Sequence, residues 1–154
     1  MLIVISPAKA LNFAAVYDAP AIFFVQNNKY AISVPLSKQT KAPSLAYKGI
    51  GYGVACEQVD GNDPIAMMAV MDEAVKYVRA GKGPVVVEAH TYRIDAHTNA
   101  DDATRYRTSA EVEEWLRRDP ITRLAALFDP NTLELANRRE EATGVVWGRG
   151  KVDG

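Results

Sequence analysis

An α/β fold, with a parallel sheet flanked by helices and further helices at the C-terminal end, is predicted by three features of this sequence. Apolar strand-like runs alternate with stretches of helical periodicity, and helices alone follow; that order belongs to parallel sheets joined by helical crossovers. The run after Pro84 is continuously apolar through Val85, Val86 and Val87, as in strands buried on both faces. The third feature is a boundary. The apolar run of residues 22–25 (Ile-Phe-Phe-Val) breaks abruptly into Gln26, Asn27 and Asn28, where such a strand would emerge from its sheet. In open α/β sheets, ligands bind outside the carboxyl ends of the strands.

Bulk properties narrow the function classes. A chain of 154 residues fits one domain with a real core. A net charge of −1 gives no electrostatic case for nucleic acid or for an anionic membrane. The single Cys56 excludes an internal disulfide and fits a reducing compartment. It sits in a strand-like run and reads as an inert buried thiol. No apolar run approaches the roughly 20 residues of a membrane span. The start lacks the basic region and small-residue cleavage site of a signal peptide. The expected location is the cytoplasm.

Residues 2–6 (Leu-Ile-Val-Ile-Ser) read as a short buried strand stopped by Pro7. Residues 8–17 carry a helical pattern with Leu11, Ala14 and Ala15 facing inward. Asp18 to Pro20 ends it, and the strand entering Gln26 follows. Residues 38–53, with Pro43, Gly49, Gly51 and Gly53, read as a loop. Residues 54–59 alternate like a strand. Asn62 or Asp63 can then cap a helix whose first position suits Pro64. That helix is predicted to reach about Ala80, with Ile65, Met68, Met71, Val75 and Val78 on its inner face and Gly81 and Gly83 ending it. After the strand of residues 84–90, residues 92–108 form a long polar loop, a length associated with function. Ser109 is the expected cap of the next helix, which carries Val112, Trp115 and Leu116. Asp119-Pro120 and Asp129-Pro130 start two more. The pattern collapses after residue 142, and residues 143–154 read as a loose tail.

On the residues alone, the stretch after Val25 is a strand followed by an Asn-rich turn. Its fuller spelling, Val25-Gln-Asn-Asn-Lys-Tyr-Ala-Ile-Ser-Val-Pro35, resembles part of the thiamine diphosphate and magnesium binding segment of 2-oxo acid dehydrogenase E1 α subunits. The run Gly51-Tyr-Gly-Val-Ala-Cys-Glu-Gln-Val-Asp-Gly-Asn-Asp63 and the run Glu88-Ala-His-Thr-Tyr-Arg-Ile94 continue the resemblance. So do His97, Asp101-Asp102, Tyr106-Arg107, Glu114-Trp115 and Asp119-Pro-Ile-Thr-Arg-Leu124. The match covers residues 10 to 140 without an evident gap, and the pyruvate and branched-chain types both stay open.

The resemblance implies thiamine diphosphate as cofactor, bridged to the protein by Mg2+. Asn28 would give the metal a side-chain oxygen and Tyr30 its backbone carbonyl, suitable donors to a hard cation. Gln26 falls where the family contacts the diphosphate. Arg93 would pair with the diphosphate through its planar fork. His97 is the implied catalytic residue, near the thiazolium and touching the diphosphate, where an imidazole suits proton transfer. Tyr106 and Arg107 would lie in the loop that presents the site to the lipoyl group of E2. An E1 β subunit is the implied partner, and self-association is a further expectation. His90 reads as structural, and Arg117-Arg118 and Arg138-Arg139 as solvated helix faces.

Residues 1–9 depart from that pattern. Together with the residues up to Phe13 they resemble the start of a peroxide-stress resistance family. Ungapped alignment puts the E1 family's Gly-Asp-Gly or Gly-Glu-Gly triplet, whose acid is a principal magnesium ligand, immediately before Met1. Residues 1–142 are therefore expected to be a partial thiamine diphosphate-binding domain with an atypical start. The expected function is that of a fragment or chimera of the E1 α subunit, inactive alone, in oxidative decarboxylation of a 2-oxo acid with acyl transfer to lipoyl-E2. The competing reading is a non-catalytic α/β binding module.

Overall fold

The computed structural model describes residues 7–128. The strand read in residues 2–6, the helix read from Asp129-Pro130 and the tail of residues 143–154 lie outside the described residues.

Three parallel strands form the sheet: β1 (Ile22–Asn27), β4 (Ala55–Asp60) and β5 (Val85–His90), in the order β1-β5-β4. Between β1 and β4 in sequence lie β2 (Tyr30–Ala31) and β3 (Val34–Pro35), a separate small antiparallel pair. The central strand is the continuously apolar one. Val85, Val86, Val87, Glu88 and Ala89 are all buried, because β5 is covered on both edges and both faces.

The helices α1 (Pro7–Val16) and α3 (Pro64–Arg79) cover opposite faces. Val59, Val85, Val87 and Ala89 pack with Ala74 and Val78 of α3. Val86 and Val54 pack with Leu11 and Ala15 of α1 and with Ala46. The alternation of successive strand residues between faces produces this division. Val87 has no exposed surface, and burying such a side chain stabilises the fold by about 1.5–3 kcal/mol.

Residues 38–53 hold more order than a loop. A 3-10 turn spans Leu36–Lys38, and a one-turn helix, α2 (Tyr47–Ile50), follows. The reason is close packing against the sheet. A Cβ on Gly49 would stand 2.7 Å from Cys56 Sγ and 2.9 Å from Val86 Cγ2, so only glycine lets α2 approach. Cys56 lies in β4, and burial, then Glu57, pushes its thiol up.

Helix α3 begins as its capping chemistry requires. Asp63 accepts from the N–H groups of Ile65 and Ala66, and Pro64 occupies the first turn. Asn62 does not cap; its amide donates to the Arg118 carbonyl at 3.1 Å. The inner face includes the predicted Met71 and Val78 but not Ile65 or Met68. Ile65 and Met68 are 52% and 70% exposed, whereas Ala66, Met67, Val70, Met71, Ala74, Tyr77 and Val78 face the sheet. The stripe centres on Met67, Val70, Met71, Ala74 and Val78, spaced three and four apart, so Ile65 and Met68 fall outside it.

Two helices end the described chain: α4 (Ser109–Leu116) and α5 (Pro120–Ala125). The cap of α4 is Thr108 rather than Ser109, its hydroxyl accepting from the Glu111 N–H at 3.2 Å. Asp119 caps α5 through the Thr122 N–H at 2.9 Å. No helix among the described residues is long and apolar enough to cross a membrane.

Candidate functional site

The parallel register brings three strand ends level. His90 pairs with Asn27 on one side and with Asp60 on the other. Each strand therefore releases its following loop at the same edge of the sheet, and those loops build the site.

The turn after β1 is built by consecutive asparagines. Asn27 Oδ1 accepts from the Lys29 N–H at 2.9 Å, and Asn28 Oδ1 accepts from the Tyr30 N–H at 3.1 Å. Asn and Asp make such side-chain-to-backbone turns readily. Lys29 adopts φ +70° within the turn, and Ile32 adopts φ +56° at the tip of the β2–β3 pair. A β-branched residue there is strained, at a cost on the order of 1–3 kcal/mol.

The loop after β5 is braced from within. The guanidinium of Arg107 donates to the carbonyls of Arg93 and Ile94. Asp101 accepts from the His97 N–H at 2.9 Å and from the Tyr106 hydroxyl at 2.6 Å. The Tyr106 hydroxyl and the His97 N–H hold the Asp101 carboxyl below its usual range. Arg93 Nη1 lies 3.4 Å from His97 Nδ1. A guanidinium can only donate, so Nδ1 is the acceptor in this contact.

An aromatic wall joins the two loops. Tyr30 meets Tyr106 at 5.7 Å between ring centroids and Tyr92 edge-on at 6.3 Å. Tyr92 stacks on Trp115 of α4 at 5.2 Å. Tyr30 also donates to Glu111 at 3.2 Å. Burial, then Glu111, pushes the Tyr30 phenol up, so it remains a donor at neutral pH.

These loops enclose a cavity of about 220 Å³ lined by Asn28, Tyr30, Arg93, His97, Tyr106 and Arg107, among others. Six sequence-predicted residues thus meet in one place. Gln26 lies apart from them; it lines an adjoining cavity of about 380 Å³ that shares Asn28, Arg93 and Asp95 with the first. Chemically, the lining combines two guanidiniums and an imidazole with an amide and phenols, which suits an oxyanion carried on a small molecule.

Sequence reasoning missed several contributors. Asp95 lines both cavities. Beneath the turn, Glu88 has no exposed surface. It accepts from Asn27 Nδ2 at 2.6 Å and from the Ala46 N–H at 2.7 Å. Lys29 Nζ donates to His90 Nδ1, and His90 Nε2 lies 3.0 Å from Gln58 Oε1. Burial pushes the Glu88 carboxyl up, yet the Ala46 and Asn27 donors, with His90 and Lys29, leave it below its ordinary value. Burial, reinforced by Lys29, lowers the His90 pKa. A charged residue in the middle of Val-Val-Val-Glu-Ala was the available signal, since a central strand has no solvent face for it.

Residues 7–143 match the family model described as dehydrogenase E1 component. The chain belongs to that family. This E1 component chain is 51% identical over 135 residues to the 3-methyl-2-oxobutanoate dehydrogenase subunit alpha of Mycobacterium tuberculosis. The alignment covers 88% of this chain and 37% of that relative. It is 47% identical over 134 residues to the pyruvate dehydrogenase E1 component subunit alpha of Staphylococcus aureus, covering 86% of this chain and 36% of the relative. The E1 component chain therefore spans little more than a third of the length of these relatives. Its parallel sheet flanked by helices agrees with the α/β architecture expected of the family.

Proposed function

We propose that this chain supplies the diphosphate-binding part of the α subunit of a thiamine diphosphate-dependent 2-oxo acid dehydrogenase. The observation that carries the proposal is the gathering of Asn28, Tyr30, Arg93, His97, Tyr106 and Arg107 around one cavity at the carboxyl edge of the sheet. The relatives' names support the enzyme class.

The donor set fits the cofactor's charged end. Arg93 would bind diphosphate oxygens with the geometry of its planar fork, while Arg107, whose two terminal nitrogens donate to the Arg93 and Ile94 carbonyls, would add its positive charge. Gln26 lines the adjoining cavity, which shares Asn28 and Arg93 with the first. For Mg2+ the fit is through neutral oxygens. Asn28 Oδ1 spends one lone pair on the Tyr30 N–H and keeps another, and Tyr30 adds its carbonyl. Magnesium retains waters and takes substrate phosphates, so two protein oxygens beside a bound diphosphate suit it. Asp95 adds a carboxylate to the lining. No cluster of three or more His, Cys, Asp or Glu positioned for a metal occurs among the described residues, so the ion would depend on the diphosphate.

When bound, thiamine diphosphate supplies the carbanion chemistry that removes CO2 from a 2-oxo acid. The protein's part is orientation and proton handling. His97, held by Arg93 and through its backbone by Asp101, would present its other ring nitrogen, Nε2, for proton transfer at the reacting end. Tyr106 and Arg107 stiffen the loop that would face lipoyl-E2. The relatives' names, as alpha subunits, support an E1 β subunit as the partner.

The test is an assay of the chain with thiamine diphosphate, Mg2+, a 2-oxo acid and an artificial electron acceptor, with and without an E1 β subunit. The expected result is no turnover by the chain alone, together with measurable cofactor binding by calorimetry. Absence of cofactor binding under both conditions would overturn the proposal.

A further inference from the structure

We propose that Glu88 is the positioning residue of this site, fixing the orientation of the Asn27 amide and thereby the turn that presents Asn28 and Tyr30 to the cavity. The inference rests on the cofactor reading above for its purpose, but its geometry stands independently.

The Asn27 side chain has two polar ends and two uses. Its Nδ2 donates to Glu88 Oε1 at 2.6 Å, and its Oδ1 accepts from the Lys29 N–H at 2.9 Å. An amide flipped end for end would point Nδ2 at the Lys29 N–H, donor against donor. Glu88, being acceptor-only when ionised, permits one orientation alone. Asn27 is 4% exposed and Glu88 fully buried, so water does not substitute for either partner. The Lys29 N–H bond in turn supports Lys29 at φ +70°, which an ordinary side chain adopts only when its surroundings hold it there. That residue separates Asn28 from Tyr30, and both line the cavity.

The second carboxylate oxygen adds a distant restraint. Glu88 Oε2 accepts from the Ala46 N–H at 2.7 Å, fixing the start of α2. One buried acid on the central strand therefore couples the turn after β1 to the segment before β4. A carboxylate with both oxygens engaged leaves itself little freedom to rotate, so the orientation it imposes on Asn27 is firm.

Polarity swapping tests this directly. In Glu88→Gln, the Gln oxygen can satisfy the Ala46 N–H only by turning its NH2 towards Asn27 Nδ2. Asn27 must then flip and release the Lys29 N–H, or Ala46 goes unpaired. Adding Asn27→Asp restores every bond: the Gln NH2 donates to one Asp oxygen, and the other accepts from Lys29. Amide hydrogen exchange by NMR on the full chain reads the turn without any ligand, and calorimetry with thiamine diphosphate and Mg2+ reads the site. In Glu88→Gln, protection of whichever amide is left unpaired, Lys29 or Ala46, is expected to fall roughly tenfold or more, the scale of a lost charge-assisted bond, and cofactor affinity falls with it where Lys29 is the one released. In the double variant both are expected to recover to within about threefold, the spread of such effects.

Unchanged protection of both Lys29 and Ala46 in Glu88→Gln overturns the inference, and so does a double variant that fails to restore the protection that fell or fails to fold. If Glu88→Gln itself does not fold, folding of the double variant with restored Lys29 protection sustains the inference. Wild-type chain that binds no cofactor while the exchange results hold would sink the cofactor reading alone and leave the Glu88–Asn27 coupling standing.

Discussion

Asn28 and His97 line one cavity although they belong to different loops, the first following β1 and the second following β5. Adjacent parallel strands in level register make this possible. Asn27 pairs with His90, so each loop starts from the same sheet edge. The Arg107 and Asp101 contacts brace the longer loop on itself, and its Tyr106 meets Tyr30 of the shorter turn at 5.7 Å.

Replacing Arg93 by Lys keeps the charge and removes the fork. Thiamine diphosphate affinity measured by calorimetry with Mg2+ is expected to fall by roughly tenfold, as planar bidentate recognition is lost. An unchanged affinity would show that Arg93 acts as a distant point charge or not at all.

A methyl group on Gly61 has nowhere to go. Its Cβ would stand 2.6 Å from Thr91 Cγ2 and 2.9 Å from the His90 carbonyl oxygen, while the Gly61 N–H donates to that same oxygen at 2.8 Å. Gly61→Ala is therefore expected to cost about 1–3 kcal/mol in denaturant unfolding, the range of overpacking. Adding Thr91→Ser removes only the first clash and should recover part of the loss. Full stability in Gly61→Ala would mean that β4 and β5 part easily at this edge.

His90 provides a pH signature. It faces Lys29, Glu88, Gln58 and Asp60. Burial and Lys29 lower its pKa in the folded chain, so the unfolded state binds more protons. Stability is complete above the unfolded imidazole value and is lost as pH falls through ~6.5 towards the folded value. Glu88, also lowered, adds its own loss at more acid pH, below the ordinary glutamate value of ~4.3. His90→Gln should flatten the upper part of the stability profile, followed by chemical denaturation between pH 7 and 5, and leave the lower part. An unaltered profile would contradict the assignment.

The sequence carried the architecture well where local chemistry decides structure. Asp63-Pro64 and Asp119-Pro120 start α3 and α5 as their capping chemistry requires, and the apolar run at Val85 is the central strand. It misled where packing decides. Ile65 and Met68 look like core by size, yet α3 turns Met67, Val70, Met71 and Val78 inward and leaves those two exposed. Thr108 and Ser109 are chemically equivalent caps, and only the chain path selects Thr108. Within the site, the individual loop residues were legible through the family resemblance. The charge of Glu88 within an apolar strand was visible, but its role was not, because its partners Asn27 and Ala46 are far away in sequence and meet it only in the folded chain.

The most direct measurement is an amide NMR titration of the chain with thiamine diphosphate in the presence of Mg2+. The resonances of Asn28, Tyr30, Arg93 and His97 are expected to shift together along one saturable curve, and to lose that response in Arg93→Ala. Shifts confined to other parts of the sheet, or none at saturating cofactor, would contradict the claim that the two loops form a single diphosphate site.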